Sequence, residues 1–361
     1  MSSVLFAEPI LFGADENIKD NVFIASAQVE KAEALKDQAL VQELLHDLRA
    51  RIRAKGVDAR ILRLVDEPDG RRVYATKGDA VFPNNAISFH NFTTPTGEVN
   101  RRVVFLYPMS PCRRGELPEE QLLAKLRRSA AEKRIELVDL RGFEGENRCL
   151  EGTGALNFSH DGRFVYMSRS GRTDDALLDV ICGAEYLNIP KERRFVFSSA
   201  TPRAEGGEDV IYHTNVVGWC GKRIAAWALD LLRFESDNAQ KAFYEHLLRE
   251  YDCVLKLSVR EIQSFAGNAF ELTGRTPDGA ELPFICISQT ALDNLDPKTR
   301  KLLERWYGPE NVLGFQGDVL ERRSGGSIRC TMAASLTIGS EFPSALERSV
   351  LEHVGIVDCP E

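Results

Sequence analysis

The residue type best suited to chemistry in this 361-residue chain is Cys330, which closes the stretch SGGSIRC at residues 324–330. A thiol behind a glycine-paired turn is expected in the open mouth of a fold, and it becomes a nucleophile once a neighbouring cation stabilises its thiolate. His213, in IYHTNV, is the candidate for that cation. It could also protonate a leaving amine and activate water, while a carboxylate such as Glu151, in LEGTG, orients the imidazole or bonds substrate nitrogens. Each residue also has a plain structural reading. His213 could be a satisfied histidine at a strand end, Glu151 a surface turn carboxylate and Cys330 a buried thiol.

Five segments share one form, a small polar or glycine-bearing turn that runs into an apolar stretch. They are FPNNAISF at 82, LEGTGALNF at 150, YHTNVVGWC at 212, FAGNAFELT at 265 and SIRCTMAAS at 327, with starts 68, 62, 53 and 62 residues apart. A period of about 60 residues accommodates a ββαβ unit. Five such units around an axis would aim five turns at one pocket. The turns carry Asn84 and Asn85, then Glu151, then His213 and Asn215, then Asn268, then Cys330, so a nucleophile, a base and a carboxylate come together from distant positions.

The elements that must position these residues read as an α/β chain. Apolar periodicity predicts helices over 29–55, 118–133, 173–187, 236–251, 258–265 and 290–307, the first with Leu35, Val41, Leu44, Leu45, Leu48 and Ile52 on one stripe and Gly56 as its stop. Ser258 and Glu261 form a capping-box pattern, with Gly267 as the expected end of that helix. Short β-like runs lie at 59–64, 103–107, 135–140, 164–167, 194–197, 224–228 and 282–287. In SGRTDD, Thr173 and Asp174 read as an N-cap and first-turn charge.

The composition, 43% hydrophobic and 28% charged, suits a globular protein with a large core. A net charge of −8 offers no general attraction to nucleic acid or anionic lipid, and no stretch is apolar enough to span a membrane, so a small-molecule partner is expected. Eight scattered cysteines, at 112, 149, 182, 220, 253, 286, 330 and 359, show neither zinc nor disulfide spacing. They read as reduced thiols of a cytoplasmic chain without a signal peptide, and Cys253 and Cys286 as small buried hydrophobes. Homo-oligomerisation is left open.

The ordered set FPNNAISFH, LEGTGALNF, SGRTDDALL, IYHTNV, SFAGNAFEL and GGSIRC resembles the guanidine-group-modifying superfamily, the pentein or α/β-propeller proteins. Within it, the set is most similar to the citrulline utilisation hydrolase and arginine-deiminase-related branch. The likeness runs from about Phe12 and the DENIKDNVF stretch to Cys330. It implies one α/β-propeller catalytic domain over residues 1–361, fivefold and pseudosymmetric, with Cys330 as nucleophile, His213 as general acid/base and Glu151 as their carboxylate partner. No metal or cofactor is implied.

Arginine deiminases and amidinotransferases grip a guanidinium with two aspartates, where this chain has Asn85 or Asn84 and Asn215. An amide donates to a carbonyl as readily as it accepts from N–H, so it suits an uncharged ureido group better than a cation. The resemblance thus implies hydrolysis of citrulline to ornithine, carbon dioxide and ammonia through an S-carbamoyl cysteine, with Glu151 the only close carboxylate. Arg172 and Asp174 of the RTD motif and Asn268 are secondary substrate contacts, with Arg172 suited to a substrate carboxylate. Two alternatives are open: an arginine deiminase or dimethylargininase-like activity on a cationic guanidinium, and a non-catalytic propeller that binds a small amino acid or a protein partner.

Overall fold

A computed structural model describes residues 3–13, 31–65, 77–203 and 206–339. The DENIKDNVF stretch, the first two residues of the 29–55 helix and Cys359 lie outside them. Four sequential ββαβ units account for the middle of the chain. In the first, Ile87–Thr93 pairs antiparallel with Val99–Leu106, and the chain crosses through Ala124–Ala131 to the parallel strand Glu136–Asp139. The second uses Leu156–Phe158, Val165–Arg169, the helix Asp175–Ile181 and Arg194–Pro202. The third uses Gly218–Cys220, Ile224–Trp227, Asp237–Glu250 and Cys253–Lys256. The fourth uses Phe270–Arg275, Glu281–Ser288, the helices Gln289–Asn294 and Pro297–Tyr307, and Val312–Phe315.

The fifth unit is assembled from both ends of the chain. Ala333–Gly339 supplies its first strand and pairs antiparallel with Ser3–Glu8, which leads through Lys31–Ala54 to the parallel strand Asp58–Arg63. Ala333–Gly339 also lies parallel to Ile87–Thr93 and so joins the fifth unit to the first. The result is the fivefold α/β propeller.

Local sequence explains most of the elements. Lys31–Ala54 buries Val41, Leu44, Leu45, Leu48 and Ile52 in one cluster with Phe284, Leu313 and Phe315, the three-to-four spacing that places side chains on one helical face. Leu35, expected on that stripe, is exposed. Gly56 follows with φ +82°, as a helix stop requires. Ser258 and Glu261 form the reciprocal capping box, but the left-handed residue after that helix is Phe265 at φ +64°, not Gly267.

Two expected helices are interrupted. The 290–307 pattern breaks before Pro297, which starts a new helix capped by Asp296. The 118–133 pattern opens as the wider turn Glu119–Leu123 before becoming α-helical. The 173–187 helix shortens to Asp175–Ile181, with the Asp174 carboxylate accepting from Leu177 N at 3.0 Å as its N-cap. Cys253 and Cys286 are buried in the core as expected.

Candidate active site

Each of the five polar turns sits immediately before the first strand of its unit: Pro83–Asn85, Gly152–Ala155, Thr214–Val217, the 265–269 turn and Ile328–Thr331. Hydrogen bonds link each turn to the next. Thr153 Oγ1 donates to Asn84 O at 3.3 Å, Thr214 Oγ1 to Ala155 O, Asn268 Nδ2 to Asn215 O at 2.9 Å, and Arg329 N to Asn268 Oδ1 at 3.0 Å. Gly326 closes the ring against Phe82, where an added Cβ would lie 2.7 Å from the ring carbon Cζ. These bonds satisfy backbone groups of buried turns and fix the turns relative to one another. The SGGS segment bends here because Gly325 takes φ +61° and hands its carbonyl to the Tyr212 hydroxyl.

Inside this ring is a pocket lined by Asp79, Asn85, Arg113, Arg172, His213 and Cys330, with Phe82, Tyr212, Ser324 and Gly326 completing its wall. Cys330 is 2% exposed, so the thiol lies at the floor of a recess and not in an open mouth. Asn268 Nδ2 donates to Sγ at 3.3 Å and Asn215 Nδ2 at 3.6 Å. Both bonds favour the thiolate, as does the backbone bond with Ser327, but burial is the larger influence and holds the thiol above its ordinary value near 9.0.

Glu151 is fully buried and takes no part in any surface. Its carboxylate accepts from Arg172 Nη1 at 2.9 and 3.1 Å, Arg113 Nη1 at 3.1 Å, Ser110 N at 3.2 Å and His213 Nε2 at 2.9 Å. Burial alone would raise its pKa, yet Arg113, Arg172 and His213 together outweigh it and hold the carboxyl well below its usual range. A carboxylate only accepts, so Nε2 of His213 carries the proton and Nδ1 keeps the lone pair. Burial is the largest influence on His213 and keeps it below 6.5, aided by the two arginines and opposed by Glu151. The imidazole is therefore neutral near pH 7.

This corrects the expectation that a protonated His213 activates the thiol in the resting protein. Both groups are buried, and burial drives each towards its neutral form. The other described buried histidines are engaged elsewhere, His90 with Ser88 and His246 with Tyr166.

Asn85 lines the pocket and, with its carbonyl turned to Arg113, accepts from Nη1 at 2.7 Å. Asn84 is buried outside the lining, and neither of its amide atoms has a hydrogen-bond partner among the described residues. Arg172 faces the pocket but is held by Glu151 and by Ser110 Oγ at 2.9 Å. Asp174 is not a pocket residue, because its carboxylate caps a helix and pairs with Arg148 at 2.8 Å. Asn268 contacts the thiol and the neighbouring turns.

Three residues of the site were not anticipated: Asp79, Arg113 and Glu116. Arg113 forks onto Glu116 through two bonds of 2.8 Å and reaches Glu151 with its remaining nitrogen. Asp79 is 6% exposed, lines the pocket, and leaves Oδ1 without a hydrogen-bond partner among the described residues. Burial raises its pKa, with Arg113 and Ser324 pulling the other way. Glu151 is thus not the only carboxylate at hand. No group of histidine, cysteine and carboxylate side chains suited to a metal occurs among the described residues.

Gly154 separates Asn85 from His213. A Cβ there would lie 2.1 Å from the Asn85 amide and 3.0 Å from His213 Cε1 and Nδ1. Gly154→Ala is expected to lower kcat about 10²-fold by displacing the imidazole, with little change in thermal unfolding. Steady-state rates beside a melting curve check this.

The likenesses to known proteins agree with this architecture. No curated protein sequence matches the chain. Among solved structures, apo ArgZ, an arginine dihydrolase from the ornithine-ammonia cycle in Cyanobacteria, superposes with a TM-score of 0.62 at 13% identity over 94% of this chain. This chain spans 41% of that protein. Against the N-terminal domain of ArgZ alone, covalently bound to a reaction intermediate, the TM-score is 0.62 at 14% identity, and 99% of the domain is covered. A dimethylarginine dimethylaminohydrolase in adduct with S-methyl-L-thiocitrulline gives 0.51 at 13% identity, over 92% of this chain and 98% of that one.

A five-unit propeller with these turns defines a member of the guanidine-group-modifying, or pentein, superfamily. More narrowly, the profile of the eukaryotic N,N dimethylarginine dimethylhydrolase family matches residues 8–337, and the chain belongs to that family. That family is named for a hydrolase of dimethylarginine.

Proposed function

We propose that the protein is a cysteine-dependent hydrolase of the bond between the ureido carbon and the side-chain nitrogen of a ureido amino acid, with citrulline as substrate. The observation that carries this reading is the setting of the thiol. Sγ of Cys330 lies between the neutral amides of Asn215 and Asn268, and the nearby Glu151 is already neutralised by Arg113 and Arg172. A delocalised cation at the reacting carbon would find few free acceptors there. A ureido carbonyl would find amide donors.

In this reading the Cys330 thiol gives its proton to Nδ1 of His213, and the sulfur attacks the ureido carbon. Collapse of the tetrahedral adduct breaks the bond to the side-chain nitrogen, which takes a proton from His213 and leaves as the amine of ornithine. Water, deprotonated by the same imidazole, attacks the S-carbamoyl group, restores the thiol and releases carbamate, which yields carbon dioxide and ammonia. Glu151 holds the ring in the required tautomer through Nε2 and offsets the charge of the transient imidazolium. A substrate carboxylate would share Arg172, which faces the pocket, with Glu151.

A second reading has support from one residue. The Asp79 carboxylate, buried in the pocket wall with a free oxygen, suits a guanidinium or an amino group, and ArgZ is an arginine dihydrolase. A panel of citrulline, arginine, methylated arginine and agmatine, with ornithine, citrulline and ammonia measured and Cys330→Ala as control, separates the two. Turnover of citrulline is the expected result. Citrulline formed from arginine, without turnover of citrulline itself, would move the assignment to the cationic substrate.

The ionisation state of the thiol gives a further check. Because burial holds Cys330 above 9.0, its alkylation by iodoacetamide in the ligand-free protein is expected to keep climbing as pH rises through that value. A plateau already reached at pH 7 would show a preformed thiolate instead.

A further inference from the structure

Directly behind the nucleophile the chain buries another cation. Arg329 is 6% exposed, its Nη1 donates to Met332 O at 2.6 Å, and its guanidinium carbon lies 3.9 Å from the centroid of the Phe270 ring. Buried Arg113, Arg172 and Arg323 all pair with carboxylates, whereas no carboxylate among the described residues pairs with Arg329. Burying a guanidinium without a carboxylate is costly, and a stacked ring offsets part of that cost. Burial correspondingly pulls Arg329 down to about 10.

Arg329 opens into its own small pocket, with Phe158, Asn215, Trp219, Phe270 and Leu336 among the lining. None of the residues that line it also line the Cys330 pocket. Asn215 is the wall between them, since its Nδ2 is directed at Sγ. A planar, donor-rich cation in a recess walled by Phe158, Trp219, Phe270 and Leu336, with Asn157 and Asn215 as its polar lining, is matched by a planar anion with an apolar tail.

We propose that this second pocket binds a small monocarboxylate, its head group on Arg329 and its aliphatic remainder against Phe158, Trp219 and Leu336. The pocket then acts on catalysis, because the charge of Arg329 favours the Cys330 thiolate and a bound anion offsets that charge. Occupation makes the thiol harder to ionise.

The test uses the full chain with formate, acetate and butyrate, at an ionic strength held constant with chloride. Expected is a saturable slowing of Cys330 alkylation by about three- to tenfold, equivalent to roughly half to one pKa unit, strongest with butyrate and absent with chloride. Arg329→Met abolishes the effect and Arg322→Met, a surface control, retains it. Should Arg329→Met fail to fold, calorimetry on the wild-type chain alkylated beforehand at Cys330 decides: butyrate still binds if its site is the second pocket. An equal effect of chloride, persistence of the effect in Arg329→Met, or loss of binding after alkylation would overturn the proposal.

Discussion

Cys330→Ala is expected to abolish turnover, with at least about a 10⁴-fold fall in kcat and no more than a modest change in stability. Among the described residues of the pocket lining the thiol is the group best suited to covalent chemistry, and the amide donors of Asn215 and Asn268 serve its ionised form. Its removal leaves Asn215 and Asn268 bonded to the neighbouring turns, so the ring of turns should survive. Deleting a small buried side chain typically costs no more than about 1–2 kcal/mol. Kinetics and a melting curve on one preparation check both halves. A variant that keeps a tenth of the wild-type rate would remove covalent catalysis from the account.

Glu151→Gln is expected to damage stability and activity together. The carboxylate neutralises two buried arginines, and breaking a buried ion pair by removal of one partner costs about 3–5 kcal/mol. The amide also permits His213 the wrong tautomer, which should lower kcat by a further factor of about 10² to 10⁴. A carboxyl held below its unfolded-state value stabilises the fold above that value, and the contribution is lost as pH falls through the folded one. Denaturant unfolding should therefore show wild-type stability declining as pH drops below about 4.5, with Glu151→Gln less stable above that range and flatter through it. Equal stability of the two proteins at pH 7 would contradict the network.

The five turns were legible because their chemistry is local. Asn, Glu, His and Cys recur at about sixty-residue intervals before apolar runs, and this pattern survives the splitting of the fifth unit between the two ends of the chain. That split was not legible, since the strand Ser3–Glu8 and the helix Lys31–Ala54 carry no mark that they belong with Ala333–Gly339. Asp79 and Arg113 escaped notice for a related reason. A single charge in KGDAVF or PCRRGE resembles any surface charge, and only the tertiary fold shows that it is buried against an opposite one. The ionisation of Cys330 and His213 was misjudged because it depends on burial, which neighbours in sequence do not report. Asp174, expected as a first-turn charge behind a Thr173 cap, is itself the cap of its helix and gives the pocket nothing.

The central claim is that Cys330 attacks a neutral ureido carbon and expels the side-chain amine. Rapid acid quench of the enzyme with citrulline, followed by mass spectrometry of the peptide that holds Cys330, tests it directly. A carbamoyl group alone on that cysteine, with ornithine released in the same time, is the predicted result. An adduct that retains the whole amino-acid side chain, or turnover with Cys330 unmodified, would contradict it.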